Sequence, residues 1–310
     1  MDGRLFETIY STIRSEYSPA DRPRRAGRPR VYETDEILLV WALAALMNWP
    51  ISVARRKLLS EPVAWWLERH WSAKLRIPSL GTLTQRAMHS DFRWLLRRVL
   101  RRLRNELSSA PTEHVAMDAT MLCTGPHSRD RQSRWTCHGG KWFRGYALHA
   151  ICDQRGVLWA WHVTSANVQE MKVARRLIRR LSLVKPRAVK LVVADSGYDS
   201  EPLHQLTRRR LGVPLLAPLN LRGAKSGHRR SRQPGRAAAE KMLATEEGKA
   251  AIGHRSVVER WNSWFKGNSL VSMLPYHVRH LPRVRRWVDL KLMVFFVHQW
   301  LTYSAVMTAS

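Results

Sequence analysis

Acidic residues are scarce in this chain: 24 Asp and Glu stand against 53 Lys and Arg, a formal net charge of +29 over 310 residues. Not one acid occurs from Pro202 to Ala239. That imbalance exceeds what solubility needs and points to a polyanionic partner, nucleic acid first. Cysteine is rare as well, limited to Cys123, Cys137 and Cys152. An odd, low count argues against a disulfide framework and for a reducing compartment, so a cytoplasmic, nucleoid-associated location is expected. No CxxC pair occurs, which disfavours a zinc cluster with His127, His138 and His149. Cys123 and Cys152 read as small core residues beside strands. The start, Met-Asp-Gly-Arg-Leu-Phe-Glu, is charged and lacks the apolar stretch of a signal peptide. Long uncharged apolar runs are missing too. Ile37 to Ile51 is broken by Pro50, and Val288 to Ala309 carries Asp289, Lys291, His298 and Gln299. Both read as buried helices, and no membrane partner is expected.

What is present divides at Ala110-Pro111-Thr112. Hydrophobic residues make up 45% of the chain, enough for a sizeable core. Residues 1–112 read as a helical DNA-binding domain with an Arg/Pro linker. Leu5, Phe6, Ile9 and Ile13 predict a first short helix. Arg22 to Arg30 is rich in Arg, Pro and Gly and reads as an extended linker, with arginines laid along a minor groove as the alternative. Thr34 or Asp35 is expected to cap a helix running to Asn48, which Trp49-Pro50 ends. Further helices are predicted from Ser52, from Pro62 to Trp71, from Leu83 to His89, and from Phe92 to Leu107. The turn before Leu83 suits a helix-turn-helix, although ordinary helical bundles share the pattern. Arg97, Arg98, Arg101, Arg102 and Arg104 stud the last helix as a solvated face or as phosphate contacts.

Residues 113–310 change to strand texture. Val115 and Met117 alternate with polar neighbours from His114 to Leu122. Residues 124–143 read as a long polar loop in which Trp135 and Trp142 interleave with Arg129, Arg131, Arg134 and Lys141. Gly145 to Cys152 and Val157 to Thr164 predict a hairpin across Asp153-Gln154-Arg155-Gly156. A helix is expected from Glu170 to Leu183, a doubly buried strand from Lys190 to Ala194, a helix from Glu201 to Arg210 and a short strand from Val213 to Ala217. This order implies α/β architecture, a mixed sheet flanked by helices. The pattern then breaks into a basic insertion at about 218–250, where Arg229, Arg230 and Arg232 read as DNA-backbone contacts or as a disordered loop.

Three carboxylates stand out. Asp118 lies in the first strand, and Asp195 at the carboxyl end of the buried strand, where sites form in open sheets. Glu259 lies on a helix beginning near Ile252. At about 100° per residue, Arg255, Glu259, Asn262 and Lys266 form one narrow polar stripe opposite Val257, Val258, Trp261, Trp264 and Phe265. Alone, the stripe also fits an ion-paired, solvated face. Three hard oxygen donors in so basic a chain suit Mg²⁺ or Mn²⁺, and two such ions cleave phosphodiesters.

Asp118 in Met-Asp-Ala-Thr, Asp195 in Val-Val-Ala-Asp-Ser-Gly-Tyr-Asp, and Arg255-x3-Glu259-x6-Lys266 together resemble the DDE transposases of bacterial insertion sequences. Gly145-Tyr-Ala-Leu-His149 with Asp153, Gly156 and Thr164-Ser-Ala-Asn167 is similar to that family's second and third strands, and Gly27-Arg-Pro-Arg30 to its N-terminal region. The resemblance implies an RNase H-like core, two metal ions on Asp118, Asp195 and Glu259, and phosphate contacts from Arg255 and Lys266. It also implies cleavage at transposon ends, strand transfer by the freed 3′-hydroxyl, and a homodimer or larger synaptic assembly on double-stranded DNA. Tyr198, Asp199, Asn262 and His149 are expected as supporting neighbours. A major subgroup has tyrosine three residues before the motif's arginine. Here that residue is Ile252, so that subgroup's hairpin route of excision is not implied. Two alternatives remain, a DNA-binding regulator that does not cut and a nuclease or resolvase on the same core.

Overall fold

The computed structural model describes residues 3–18, 31–60, 77–108, 110–125, 127–138, 140–184, 186–220, 233–268 and 274–309. The chain forms two compact units, Met1–Leu107 with Arg286–Ser310, and Ser108–Arg285.

The first unit is helical. Helix α1 (Gly3–Glu16) buries Leu5, Phe6, Ile9 and Ile13 along one face, as their spacing predicts. Helix α2 (Thr34–Leu46) starts one residue earlier than expected at its cap. Glu33 caps it, and the Glu33 N–H donates to Glu36 Oε2 at 2.7 Å. Asp35 therefore does not cap; it is fully buried and pairs with Arg14. Helices α3 (Ile51–Leu58) and α4 (Leu80–Arg86) follow. Ser79 caps α4 by accepting from the Thr82 N–H at 3.2 Å, which sets its start three residues before the predicted Leu83. The predicted helix from Pro62 to Trp71 and the linker at Arg22 to Arg30 lie outside the described residues.

Helix α5 (Ser90–Leu107) buries Phe92, Leu95, Leu96, Val99, Leu100, Leu103 and Leu107. Two of its arginines are structural: Arg98 and Arg102 hold Glu16 of α1 at 2.8 and 3.2 Å. Arg93, Arg97 and Arg101 remain exposed.

The last helix, α11 (Leu281–Ala309), corrects the boundary read from the sequence. From Arg286 on it belongs with the N-terminal helices and not with the strand-bearing region. Its apolar residues surround its axis, so it needs cover on every side. Among the described residues, no single helix is long and apolar enough to cross a membrane. Lys291 sits inside this helix at 1% exposure with its ammonium 5.3 Å from the Trp287 ring centre. Burial pushes its pKa down to about 7. The unfolded chain therefore holds this proton more tightly, and its stability contribution rises as pH climbs from about 7 to 10. Lys291→Met is expected to melt on the order of 5 °C higher at pH 7, with the gain shrinking toward pH 10. A melting point that falls at pH 7, or a gain equal at both pH values, would contradict this.

The second unit is a six-stranded mixed sheet. Strand β1 (His114–Cys123) is central: it pairs antiparallel with β3 (Lys141–Asp153) and parallel with β5 (Leu191–Ala194). Strand β6 (Leu215–Leu216) adds parallel to β5. The far edge of β3 is shared: β2 (Arg134–His138) pairs with its first residues and β4 (Leu158–Ser165) with the rest. Gly145 marks the changeover, where an added Cβ would stand 2.2 Å from the Leu122 carbonyl oxygen. The expected long loop at 124–143 thus ends in a β-ribbon, from Arg134 onward. Its short strand escaped the alternation test because both faces carry polar or aromatic side chains.

Helices α6 (Glu170–Val184) and α7 (Glu201–Leu211) form the crossovers. The region expected as a structureless basic insertion contains two more helices, α8 (Pro234–Leu243) and α9 (Glu246–Gly253). They cover one sheet face, where Ala239, Ala251, Met242, Leu243 and Ile252 pack on Leu191, Val193 and Leu216. Arg229, Arg230 and Arg232 lie outside the described residues. The α/β fold, with a mixed sheet flanked by helices and an all-helical N-terminal region, is the one the sequence predicts.

Candidate active site

Helix α10 (Arg255–Asn268) brings the third carboxylate toward the sheet. Its apolar face is buried through Val257, Val258, Trp261 and Phe265, with the Trp261 and Phe265 rings stacked at 5.0 Å. Packing that face on β1 and β3 turns the polar stripe toward Asp118. Asn262, 8% exposed, donates Nδ2 to Asp118 Oδ2 at 2.9 Å. Lys266 is half-buried in the field of Asp118, and burial lowers its pKa. Glu259 stays exposed and pairs with Arg255 at 3.3 Å. Both halves of the sequence reading are therefore present, a solvated ion pair and a stripe aimed at a half-buried carboxylate. An exposed pair contributes about 0–1 kcal/mol, so little restrains the Glu259 side chain.

Asp118 lies on β1 opposite Ala150, and Asp195 follows the last residue of the neighbouring parallel strand β5. Asp195 caps the short turn Ser196–Tyr198, its Oδ1 accepting from the Gly197 N–H at 2.8 Å. Burial first, then the Asp195 and Glu259 carboxylates, push the Asp118 carboxyl up to about 6. The Ala119 N–H and Arg255 oppose that rise without cancelling it. Asp118 thus lies in the field of both other carboxylates, with Arg255 and Lys266 as the cations beside them. Among the described residues, no three acidic, histidine or cysteine side chains already stand close enough to enclose an ion. The donor chemistry fits a hard divalent cation even so: Asp118 lies on β1 and Asp195 just past the end of its parallel neighbour β5, and the buried Asn262 Oδ1 beside Asp118 has no hydrogen-bond partner.

The supporting neighbours divide. Asn262 touches Asp118 directly. Tyr198 is fully buried under the same turn, its hydroxyl without a partner. Burial and the Glu170, Asp118 and Asp195 charges hold its pKa well above the ordinary value. His149 is opposite Ala119 and bonds Thr164 Oγ1 at 3.0 Å; burial lowers its pKa to about 4, so it is neutral. Asp199 does not serve the carboxylate cluster. Its side chain is taken up by Arg236 at 2.6 Å, His204 at 3.2 Å and the Asn220 N–H at 2.9 Å. Four residues along the chain from Asp195, it had looked like a neighbour, but the intervening turn separates them. Sequence reading missed Glu170. Its Oε2 would lie 3.5 Å from a Cβ at Gly197, and its only sequence signal is an acid in the first turn of α6.

Residues 109–295 match the family described as the Transposase DDE domain, a range that contains all three carboxylates. No curated protein matches the chain. Among solved structures, the piggyBac transposase in its synaptic complex with hairpin DNA is similar at a TM-score of 0.50 and 10% identity. The match covers 99% of this chain and 73% of that one, and at that identity it speaks for the fold. The mixed sheet, the carboxylates at its adjacent strands and a family match over more than half the sequence agree: this chain belongs to the DDE transposase family.

Proposed function

We propose that the protein is an insertion-sequence transposase that binds transposon ends, cleaves their phosphodiesters with divalent metal ions and joins the 3′-hydroxyl to target DNA. One observation carries this reading: Asp118, half-buried on the central strand, and Asp195, just past the end of the parallel strand paired with it, lie in a range that matches the Transposase DDE domain. Asp118, Asp195 and Glu259 would hold Mg²⁺ or Mn²⁺, two ions per site. Bound there, the ions supply an activated water or hydroxyl and stabilisation of the leaving oxygen. The chain's own residues orient the site. Asn262 fixes Asp118, and the Gly197 N–H engages Asp195 Oδ1, leaving Oδ2 for a ligand. Glu259 leaves Arg255 to complete the set, which frees the Arg255 guanidinium for a phosphate beside Lys266.

The net charge of +29 supports double-stranded DNA, both ends and target, as partner. Two ends held together call for a homodimer or larger assembly, located with the nucleoid. A regulator that does not cut is disfavoured by the acids themselves, since carboxylates facing phosphates without metal repel them. A nuclease on the same core would cut in Mg²⁺ without joining. Incubation of the protein with Mg²⁺ and labelled DNA carrying the flanks of its own gene separates the three. Cleavage at the flanks with joined products is expected, cleavage alone indicates a nuclease, and binding alone a regulator.

The acid-free segment gives a second expectation. Neutralising Arg229, Arg230 and Arg232 together should weaken binding to all sequences alike and flatten the salt dependence by roughly 0.9 per lost phosphate contact. An unchanged slope in a salt titration would remove these arginines from the interface.

A further inference from the structure

The ribbon made by β2 and the start of β3 has no part in the carboxylate site. Opposed residues of an antiparallel ladder share a face, and faces alternate along each strand. The pairs Trp135↔Arg144 and Cys137↔Trp142 therefore put both indoles on one face with Cys137 and Arg144. Trp135 is 50% exposed and Trp142 69%. Tryptophan is highly buried on average, so two bare indoles on one small face call for a reason.

Folding does not supply that reason, because polar groups anchor the ribbon. Asp130, fully buried, accepts from the Tyr146 hydroxyl at 2.5 Å and from the Gln132 and His280 N–H groups, each at 2.9 Å. Arg144 Nε donates to Ser133 Oγ at 3.1 Å, and Ser165 Oγ to the Gln132 carbonyl at 2.9 Å. Neither indole contributes to this network. The ribbon's charge is one-sided. Arg129, Arg131, Arg134 and Lys141 are exposed, whereas Asp130 is the only acid from Thr124 to Arg144 and is spent inside.

We propose that this face is a stacking platform for unpaired nucleobases at a DNA end, with the indoles taking base faces and the surrounding cations the phosphates. Every base has a π-face, so such a platform reads strand separation and not sequence. A rigid, pre-anchored ribbon suits that task because little order remains to be imposed on binding. The inference rests on DNA being the substrate, but not on catalysis.

The test uses the full chain in EDTA with reductant. It compares a labelled blunt duplex with the same duplex carrying a short unpaired 3′ thymine tail. Wild type is expected to prefer the tailed duplex. Trp135→Ala with Trp142→Ala should lower affinity for the tailed duplex about tenfold or more, leaving blunt-duplex affinity unchanged. Trp135→Phe with Trp142→Phe should recover most of the preference, and it serves as the reference if the alanine pair melts below wild type. Equal losses on both duplexes, no loss on either, or loss of self-association in place of tail preference would each overturn the inference. The Mg²⁺ cleavage assay is a separate readout. Tail preference without cleavage sinks the transposase reading alone, and cleavage without tail preference sinks this one alone.

Discussion

Asp118→Asn, Asp195→Asn and Glu259→Gln are each expected to abolish strand cleavage and joining in Mg²⁺, while DNA binding in EDTA should survive. Each amide keeps the shape of its acid and removes the charge that a divalent ion needs. Several kcal/mol of transition-state stabilisation is at stake, which corresponds to roughly a 10³-fold loss or more. Folding should not suffer. The carboxylate of Asp118 is the disfavoured form at its site, with a pKa raised to about 6 by burial and by the neighbouring acids. Removing its charge relieves that penalty, so metal-free Asp118→Asn should melt no lower than wild type. Binding in EDTA should strengthen slightly as a negative charge near phosphate is lost. The measurement is cleavage of a labelled end beside gel-shift binding and a thermal melt. A Glu259→Gln protein that cuts at the normal rate would reduce the α10 stripe to an exposed Arg255–Glu259 pair.

The second large effect concerns folding. Asp199→Ala should lower stability by about 3 to 5 kcal/mol, because it leaves a partly buried guanidinium without its partner. Asp199 joins three segments through Arg236 of α8, His204 of α7 and the Asn220 N–H. Burial would raise its pKa, but these hydrogen bonds outweigh burial and hold it down to about 2. The unfolded chain therefore takes up the proton first, and this stability is lost as pH falls from about 4 toward 2. Glu201 adds to the same junction by accepting from the Gly235 and Arg236 N–H groups, each at 3.0 Å, at the start of α8. A fall in melting midpoint of roughly 10 °C is expected at neutral pH. An Asp199→Ala protein that melts like wild type yet no longer cuts would move Asp199 into the chemistry.

The sheet was legible because its strands carry period-two or continuous apolar patterns and its crossovers carry amphipathic ones. β1, β4, β5, α6 and α7 fall within a residue or two of their predicted bounds. What escaped reading depends on contacts that no local pattern records. Strand β2 exists because β3 extends past its neighbours and offers a free edge. Helices α8 and α9 are short and weakly amphipathic, and the sheet face under Ala239 and Ala251 gives them their place. The final helix joins the N-terminal unit because an all-round apolar cylinder takes whatever apolar surface is on offer. At the site, the stripe on α10 was readable from periodicity, whereas Asp199 was misjudged. Nearness along the chain said nothing of which way the turn Ser196–Tyr198 would send it.

The Asn262–Asp118 hydrogen bond spans 144 positions of sequence. A polypeptide leaving the ribosome therefore presents its first carboxylate long before its third. Until α10 has emerged, β1 has no helix to cover it and Asp118 has no amide to hold it. Strands and most of the basic residues come earlier, so an incomplete product ending before Arg255 keeps much of the chain's positive charge. It lacks Glu259 and Asn262 altogether. A chain interrupted there would carry most of the basic surface without the helix that supplies the third carboxylate and the amide beside the first.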